Sequence, residues 1–292
     1  MTATAEPVAE LRLHLPGLGL DLAALAWGDA GLPALIALHG WLDNAASFAS
    51  IATHLSGARR VIALDLPGHG LSDHLPAAAR YDLPLYVQAL HAAAAALRLD
   101  RFDLLGHSLG GAIASLYAAA FPQRVARLLL IEALGPMADD GGDTLARWRA
   151  ALAGAGNDRP GRVFAGVEDA LAARCRITGQ NPAAIRPIVA RGVRAHAGGV
   201  IWRSDARLTA TTPVRMAESQ VHALLAGIAA PTWLLLAEPE SPFLPHALLR
   251  ARAACVPRID IALLHGGHHL HAEQPESCAR LLLRTPGAAS AA

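Results

Sequence analysis

The chain carries one serine flanked by glycines at a spacing that serves nucleophilic chemistry. Gly106-His107-Ser108-Leu109-Gly110 follows an apolar run, Phe102–Leu105, and leads into the alanine-rich segment Leu109–Ala120. The serine therefore falls between an expected strand and an expected helix. So sharp a turn needs residues two before and two after the serine that are almost free of side chain, and Gly106 and Gly110 meet that need. The turn lifts the hydroxyl off the sheet and sets it at a helix N-terminus, where backbone N–H groups face a developing negative charge. A serine hydroxyl needs a base. Among 14 histidines, His268 is the candidate, because it follows the last expected strand in His265-Gly266-Gly267-His268-His269-Leu270-His271, where glycines free the loop to swing over the serine. His269 and His271 are lesser candidates, and one of the three is expected to line the pocket or cap the next helix. A His-x-His metal site lacks a third ligand nearby in sequence, so no metal is expected. The backbone N–H of Trp41, in His39-Gly40-Trp41, and that of Leu109 form the natural pair for an oxyanion hole. Each such donor contributes about 3 kcal/mol to a transition state.

The elements that must position these residues read as alternating strands and helices. A hairpin opens the chain, Val8–Leu15 and Leu20–Trp27 about a Pro16-Gly17 turn. Leu35–Leu38, Val61–Leu64, Phe102–Leu105 and Leu128–Ile131 are expected strands, with a helix from the Asn44 cap to His54 and others at Leu83–Leu97 and Leu109–Ala120. The alternation resumes with Thr232–Leu236, a helix at His246–Ala254, a strand at Ile259–Leu264 and a helix at Pro275–Leu283, leaving a tail, Thr285–Ala292, expected to fray. This alternation predicts an α/β fold, a mainly parallel sheet covered by helices on both faces. Residues 135–230 break the pattern with glycines, prolines and arginines, and are expected to form a helical cap inserted into a core of residues 1–134 and 231–292. A cap over the ends of parallel strands walls off a pocket where such sheets bind ligands.

Bulk composition narrows the function classes. The 292 residues are 53% hydrophobic and 17% charged with a formal net charge of +1, which excludes wholesale disorder and points away from nucleic acid and from anionic membrane surfaces. All the strong cations are arginines. Three distant cysteines, Cys175, Cys255 and Cys278, imply no disulfide framework. The N-terminus lacks a basic start followed by an apolar stretch, and no run approaches the ~18 apolar residues of a membrane span. A cytoplasmic protein, monomer or homodimer, is expected.

His39-Gly40-Trp41, Asp65-Leu66-Pro67-Gly68-His69-Gly70-Leu71-Ser72, Gly106–Gly111, and Gly267-His268 with Glu273 and Pro275 behind it resemble the α/β-hydrolase superfamily in order and spacing. The string His39–Phe48 is similar to the serine hydrolase-like branch, relatives of the haloalkane dehalogenases and epoxide hydrolases. The resemblance runs from about residue 10 to 285 and weakens across the cap. It implies a Ser–His–acid triad, a two-donor oxyanion hole and no cofactor. Dehalogenases and epoxide hydrolases carry aspartate where this chain has Ser108, which argues against both chemistries. Most members place the acid after the strand that follows the cap, where this chain has Glu240 in Ala237-Glu238-Pro239-Glu240. A subset places it at the end of the strand before the cap, where this chain has Glu132. Glu132 is preferred, since a carboxylate ending an apolar strand needs a partner or a function. Asp65 is expected to serve a structural turn. The expected substrate is a small-molecule ester or acyl compound. Hydrolysis of a thioester or C–C bond, acyl transfer on the same site, and a non-catalytic binding module are the alternatives. Trp41, Trp148 and Trp202 are expected to be core in preference to an acyl pocket. The cap arginines (Arg147, Arg149, Arg186, Arg191, Arg194, Arg203, Arg207) are expected at the surface rather than on an acidic substrate.

Overall fold

The computed structural model describes residues 9–154, 161–241 and 244–284. Val8, Gly156, Pro160 and the tail at 285–292 lie outside the described residues. The chain runs β1 (Ala9–Leu15), β2 (Leu20–Trp27), β3 (Ala34–Leu38), α1 (Ala49–Leu55), β4 (Arg60–Leu64), α2 (Leu83–Ala96), β5 (Phe102–His107), α3 (Leu109–Ala120) and β6 (Val125–Ile131). After an intervening segment it continues through β9 (Thr232–Glu238), α8 (His246–Ala253), β10 (Ile259–His265), α9 (Leu270–Glu273) and α10 (Pro275–Leu282). The segment between β6 and β9 contains α4 (Thr144–Ala153), α5 (Val167–Thr178), α6 (Pro182–Gly192), β7 (Val193–His196), β8 (Gly199–Trp202) and α7 (Glu218–Leu225).

One eight-stranded sheet has the order β1-β2-β4-β3-β5-β6-β9-β10. The first two strands pair antiparallel, as do β2 and β4, and all later neighbours are parallel. The central strands are apolar on both faces, and their period of two divides them between two cores. Ile36, Leu38, Ile62, Leu64, Leu104, Leu128 and Leu130 pack with Leu90 of α2 and Ile113 and Tyr117 of α3. Leu35, Ala37, Val61, Leu105, Leu129 and Ile131 pack on the opposite face with Ile51 and Leu55 of α1 and Cys278 and Leu282 of α10. The expected single helix after Asn44 is divided. Asn44 caps a short 3-10 turn, Ala45–Phe48, its side chain accepting from the Ala46 N–H, before α1 begins.

The segment between β6 and β9 is not purely helical, in contrast to the cap expected at 135–230. β7 and β8 form an antiparallel hairpin paired from Val193–Trp202 to His196–Gly199, and Gly198 takes a φ of 83° in its two-residue turn. The strands are four residues each and carry exposed Arg194 and His196, so their apolar pattern is too short to read. Phe164 extends the hairpin through reciprocal backbone bonds with Val200. Phe164, Leu171, Ile185, Ile188 and Val189 form a third core, which also takes in Ala272 of α9.

This segment is fastened over the carboxyl ends of β3 and β4. The Asn44 amide donates to the Ile188 carbonyl at 2.7 Å, and the Trp41 indole N–H donates to the Leu208 carbonyl at 3.0 Å. Asp65, fully buried, accepts the N–H groups of Ala45 and Leu71 and pairs with the Arg191 guanidinium at 2.8 Å. Beside it, His39 accepts the Leu66 N–H at Nε2 and donates from Nδ1 to the Gly40 carbonyl. His69 packs edge-on against His39 with ring centroids 5.0 Å apart. Burial drives the His39 pKa down to about 4 and the His69 pKa down to about 3.

Two outcomes follow. Replacing Arg191 by Met removes one partner of a buried pair and leaves Asp65 uncompensated, so urea denaturation is expected to show a loss of about 3 kcal/mol. A buried neutral histidine stabilises the fold fully above its unfolded pKa of about 6.5. That contribution is lost as pH falls from there through the folded values of about 3 to 4. Thermal unfolding is therefore expected to shift steadily lower between pH 6.5 and 4.5, and a flat profile across that window contradicts the neutral state of these rings.

Candidate active site

Ser108 sits where β5 turns into α3, with φ 52° and ψ −115°, a combination that side chains rarely adopt. Its N–H donates to the Ile131 carbonyl at 3.0 Å, and its carbonyl accepts from Gly111 and Ala112 as the helix starts. A Cβ on Gly106 would stand 2.4 Å from the Gly110 carbonyl oxygen, and one on Gly110 would stand 2.0 Å from that of Leu38. No side chain fits at either place, so the backbone can close around the serine only with glycine there.

Strand neighbours bring the other candidates to the same end of the sheet. Glu132 follows β6, adopts a φ of 54°, and is almost fully buried. Its Oε1 accepts the Ala237 N–H from neighbouring β9 at 2.6 Å, and its Oε2 lies 3.2 Å from His268 Nδ1. His268 lies in the loop after β10, with Gly267 N–H held by the Glu273 carboxylate at 2.6 Å. Glu240 is not brought to His268. It is exposed, and its Oε2 accepts the N–H of His246 at the start of α8. The Ser108 hydroxyl and the His268 ring do not form a hydrogen bond in this structure.

Gly110 N–H donates to the His39 carbonyl at 3.1 Å, which ties the loop after β3 to the first turn of α3. The N–H groups of Trp41 and Leu109 flank this tie, and neither has an acceptor among the described residues. The Trp41 ring is 52% exposed and that of Trp148 44%, so neither is the core residue expected, while Trp202 packs edge-on against Phe164. Most of the arginines set apart in the inserted segment are engaged by the protein itself. Arg147 pairs with Asp139, Arg186 with Glu168, Arg191 with Asp65 and Arg207 with Asp205, and Arg203 donates to the Val193 carbonyl. Arg149 and Arg194 are exposed.

Beneath His268 lies a buried cluster that sequence reasoning did not assemble. His107, the residue before Ser108, donates from Nε2 to the His268 carbonyl at 2.8 Å. Asp43 Oδ2 accepts from His269 Nε2 at 2.9 Å, and its Oδ1 pairs with Arg174 of α5. His269 Nδ1 meets the Gln180 amide at 2.7 Å, and His271 Nε2 meets the Ser47 hydroxyl at 2.7 Å. The side chain of His269, although it precedes α9, is therefore spent on Asp43 rather than on a cap. Burial lowers the pKa of His107 far below the histidine range and that of His271 to about 3. Burial opposes ionisation of Asp43, but His269 and Arg174 outweigh it and hold the carboxyl well below the usual range. Asp43, His107 and His269 each bring one ligand atom within 4.8 Å of the others, a set that the fold assembles from the loop after β3, the end of β5 and the loop after β10. Both Asp43 oxygens already accept from protein donors, whereas His107 Nδ1 has no partner among the described residues. The local signals in the sequence were the histidine inside the Gly-x-Ser-x-Gly turn and the His269-Leu270-His271 run.

A cavity of about 410 Å³ lined by Thr232, Trp233, Arg258 and Asp260 opens at the amino ends of β9 and β10. It lies at the opposite end of the strands from Ser108 and has no part in this site. No helix among the described residues is long and apolar enough to cross a membrane.

Residues 33–275 match the alpha/beta hydrolase fold family. A serine hydrolase-like protein of Danio rerio is 26% identical over 297 residues, covering 96% of this chain and 89% of that protein. Serine hydrolase-like protein 2 of Homo sapiens is 38% identical over 134 residues, covering 45% of this chain and 42% of that protein. The crystal structure of hypothetical protein PA1622 from Pseudomonas aeruginosa PAO1 superposes with a TM-score of 0.87 at 35% identity, over 95% of this chain and 98% of that one. A thioesterase domain from the curacin biosynthetic pathway shares the fold, with a TM-score of 0.83 at 23% identity over 94% of this chain and 99% of that one. The matched region holds the six strands β3 to β6, β9 and β10 of the sheet, the serine turn, Glu132 and His268, and this chain belongs to the alpha/beta hydrolase fold family, with serine hydrolase-like proteins among its relatives.

Proposed function

We propose that the protein hydrolyses carboxylic esters, with Ser108 as nucleophile, His268 as base and Glu132 as the acid that orients it. The observation that carries this reading is the 3.2 Å contact between Glu132 and His268 Nδ1, beside a serine held at φ 52° and ψ −115°. A carboxylate at Nδ1 keeps the proton there and leaves Nε2 bare to take one from a hydroxyl. Glu132 is itself braced by the Ala237 N–H, which limits the directions in which it can turn. The serine–histidine bond, open here, is one that commonly tightens when substrate enters.

In this scheme His268 Nε2 takes the Ser108 proton as Oγ bonds to the ester carbonyl carbon. The N–H groups of Trp41 and Leu109 receive the oxyanion. The bond from carbon to the leaving alkoxide oxygen breaks as His268 returns the proton to it, and the alcohol departs. Water then attacks the acyl carbon and gives a proton to His268, which passes it to Ser108 Oγ as the bond from carbon to Oγ breaks and the carboxylic acid departs. No metal or organic cofactor enters the scheme. The substrate is a small molecule, and the half-exposed Trp41 ring favours an apolar acyl group.

A panel of p-nitrophenyl esters of increasing acyl length tests the reading, with active-site labelling by a fluorophosphonate. Wild type is expected to label once per chain and to turn over esters, and Ser108→Ala to do neither while unfolding at the same temperature. Ester turnover retained by Ser108→Ala would falsify the assignment. Glu132→Gln is expected to lower kcat by about 10⁴-fold, whereas Glu240→Gln stays near wild type. The reverse ranking moves the acid to the loop after β9.

A further inference from the structure

We propose that His107 is a positioning residue that fixes the base loop against the nucleophile turn, acting through the hydrogen bond from its Nε2–H to the His268 carbonyl. This rests on the reading of Ser108 and His268 given above. His107 is the last residue of β5 and shares a peptide bond with Ser108, so the tether joins the residue next to the nucleophile to the residue that carries the base.

The tautomer is set by distance. Nε2 lies 2.8 Å from a carbonyl oxygen, which can only accept, whereas Nδ1 lies 3.8 Å from Asp43 Oδ2, beyond hydrogen-bond range. The proton therefore sits on Nε2, and Nδ1 has no partner among the described residues. The ring is confined as well. A Cβ on Gly40 would stand 3.0 Å from both His107 Nδ1 and Asp43 Oδ2, a tight contact that any side chain there would press against the imidazole.

The loop that carries His268 needs such anchoring. Gly266 and Gly267 precede it and supply no rigidity of their own, and Gly266 has a φ of 156°. On its far side, His269 is fastened to Asp43, which Arg174 ties in turn to α5. His107 holds the His268 carbonyl on that same side, while on the preceding side the Gly266 N–H donates to the Glu238 carbonyl at 3.1 Å and the Gly267 N–H to the Glu273 carboxylate at 2.6 Å. With both flanks fixed, the His268 ring retains only its side-chain rotations, and Glu132 at Nδ1 selects among them. Misplacing a catalytic group by about 1 Å costs on the order of 100-fold in rate. A loosened loop therefore lowers turnover more than substrate binding.

Side-chain reach separates this role from simple core packing. The amide of glutamine extends to the position of Nε2, whereas that of asparagine reaches only that of Nδ1. For His107→Asn, kcat with a p-nitrophenyl ester is expected to fall on the order of 100-fold while KM stays within about twofold. His107→Gln is expected to recover to within about tenfold of wild type. Folding of both is checked by circular dichroism, and the fluorophosphonate labelling rate is expected to follow the same order. A labelled, active wild type with His107→Asn equal to it overturns the proposal alone, as does equal loss in both variants. A folded wild type that neither labels nor hydrolyses overturns the reading of Ser108, and the tether with it. A stoichiometric transition metal found in wild type by plasma mass spectrometry and lost in both variants overturns it too, since Nδ1 is then a ligand.

Discussion

The carboxyl end of the sheet depends on one close backbone approach, that of Gly110 to the end of β3. Its N–H donates to the His39 carbonyl, and its Cα faces the Leu38 carbonyl at a distance no side chain can share. This contact holds the first turn of α3 against the loop after β3. The strained turn at Ser108 is held from both sides by it, since the Ser108 N–H is bound to β6 through Ile131. Strain of this kind persists only where surrounding structure determines it, and here two neighbouring strands do so. The N–H groups of Trp41 and Leu109, close in sequence to the two ends of the tie, find no acceptor among the described residues.

A second layer of organisation is electrostatic. Asp43 and Asp65 are buried carboxylates at the ends of β3 and β4, and each takes an arginine from the inserted segment, Arg174 and Arg191. Buried ions are costly unless paired and hydrogen-bonded, and both aspartates also accept further hydrogen bonds from the chain. The inserted segment is thereby located over the strand ends with a fixed register. Its apolar core shares Ala272 with α9, four residues beyond His268. The segment between β6 and β9 and the helix that follows the histidine loop consequently share one apolar core.

The sheet was largely legible because its signals are local. Strands such as Leu35–Leu38 and Val61–Leu64 are short apolar runs bounded by turn residues, and Gly106 and Gly110 announce a turn that sterics reserve for glycine. The hairpin of β7 and β8 was not legible, because four-residue strands with Arg194 and His196 on them lack a period long enough to register. Trp41 and Trp148 were misread for a related reason. Burial of a large ring depends on what folds over it, and nothing adjacent in sequence reports that.

The sequence by itself determined the alternation of strands and helices, the serine turn and the placement of a histidine after the last strand. Each of these follows from periodicity or from clashes between near neighbours in the chain. Only the tertiary structure decided which carboxylate meets that histidine. The pairing of β6 with β9 sets Glu132 beside Ala237 and beneath His268, while Glu240 turns outward to α8. The same is true of the partners of Asp43, His107, Arg174 and Arg191. Side-chain pairing across more than a hundred residues is fixed by strand order and burial, quantities that no local window of residues contains.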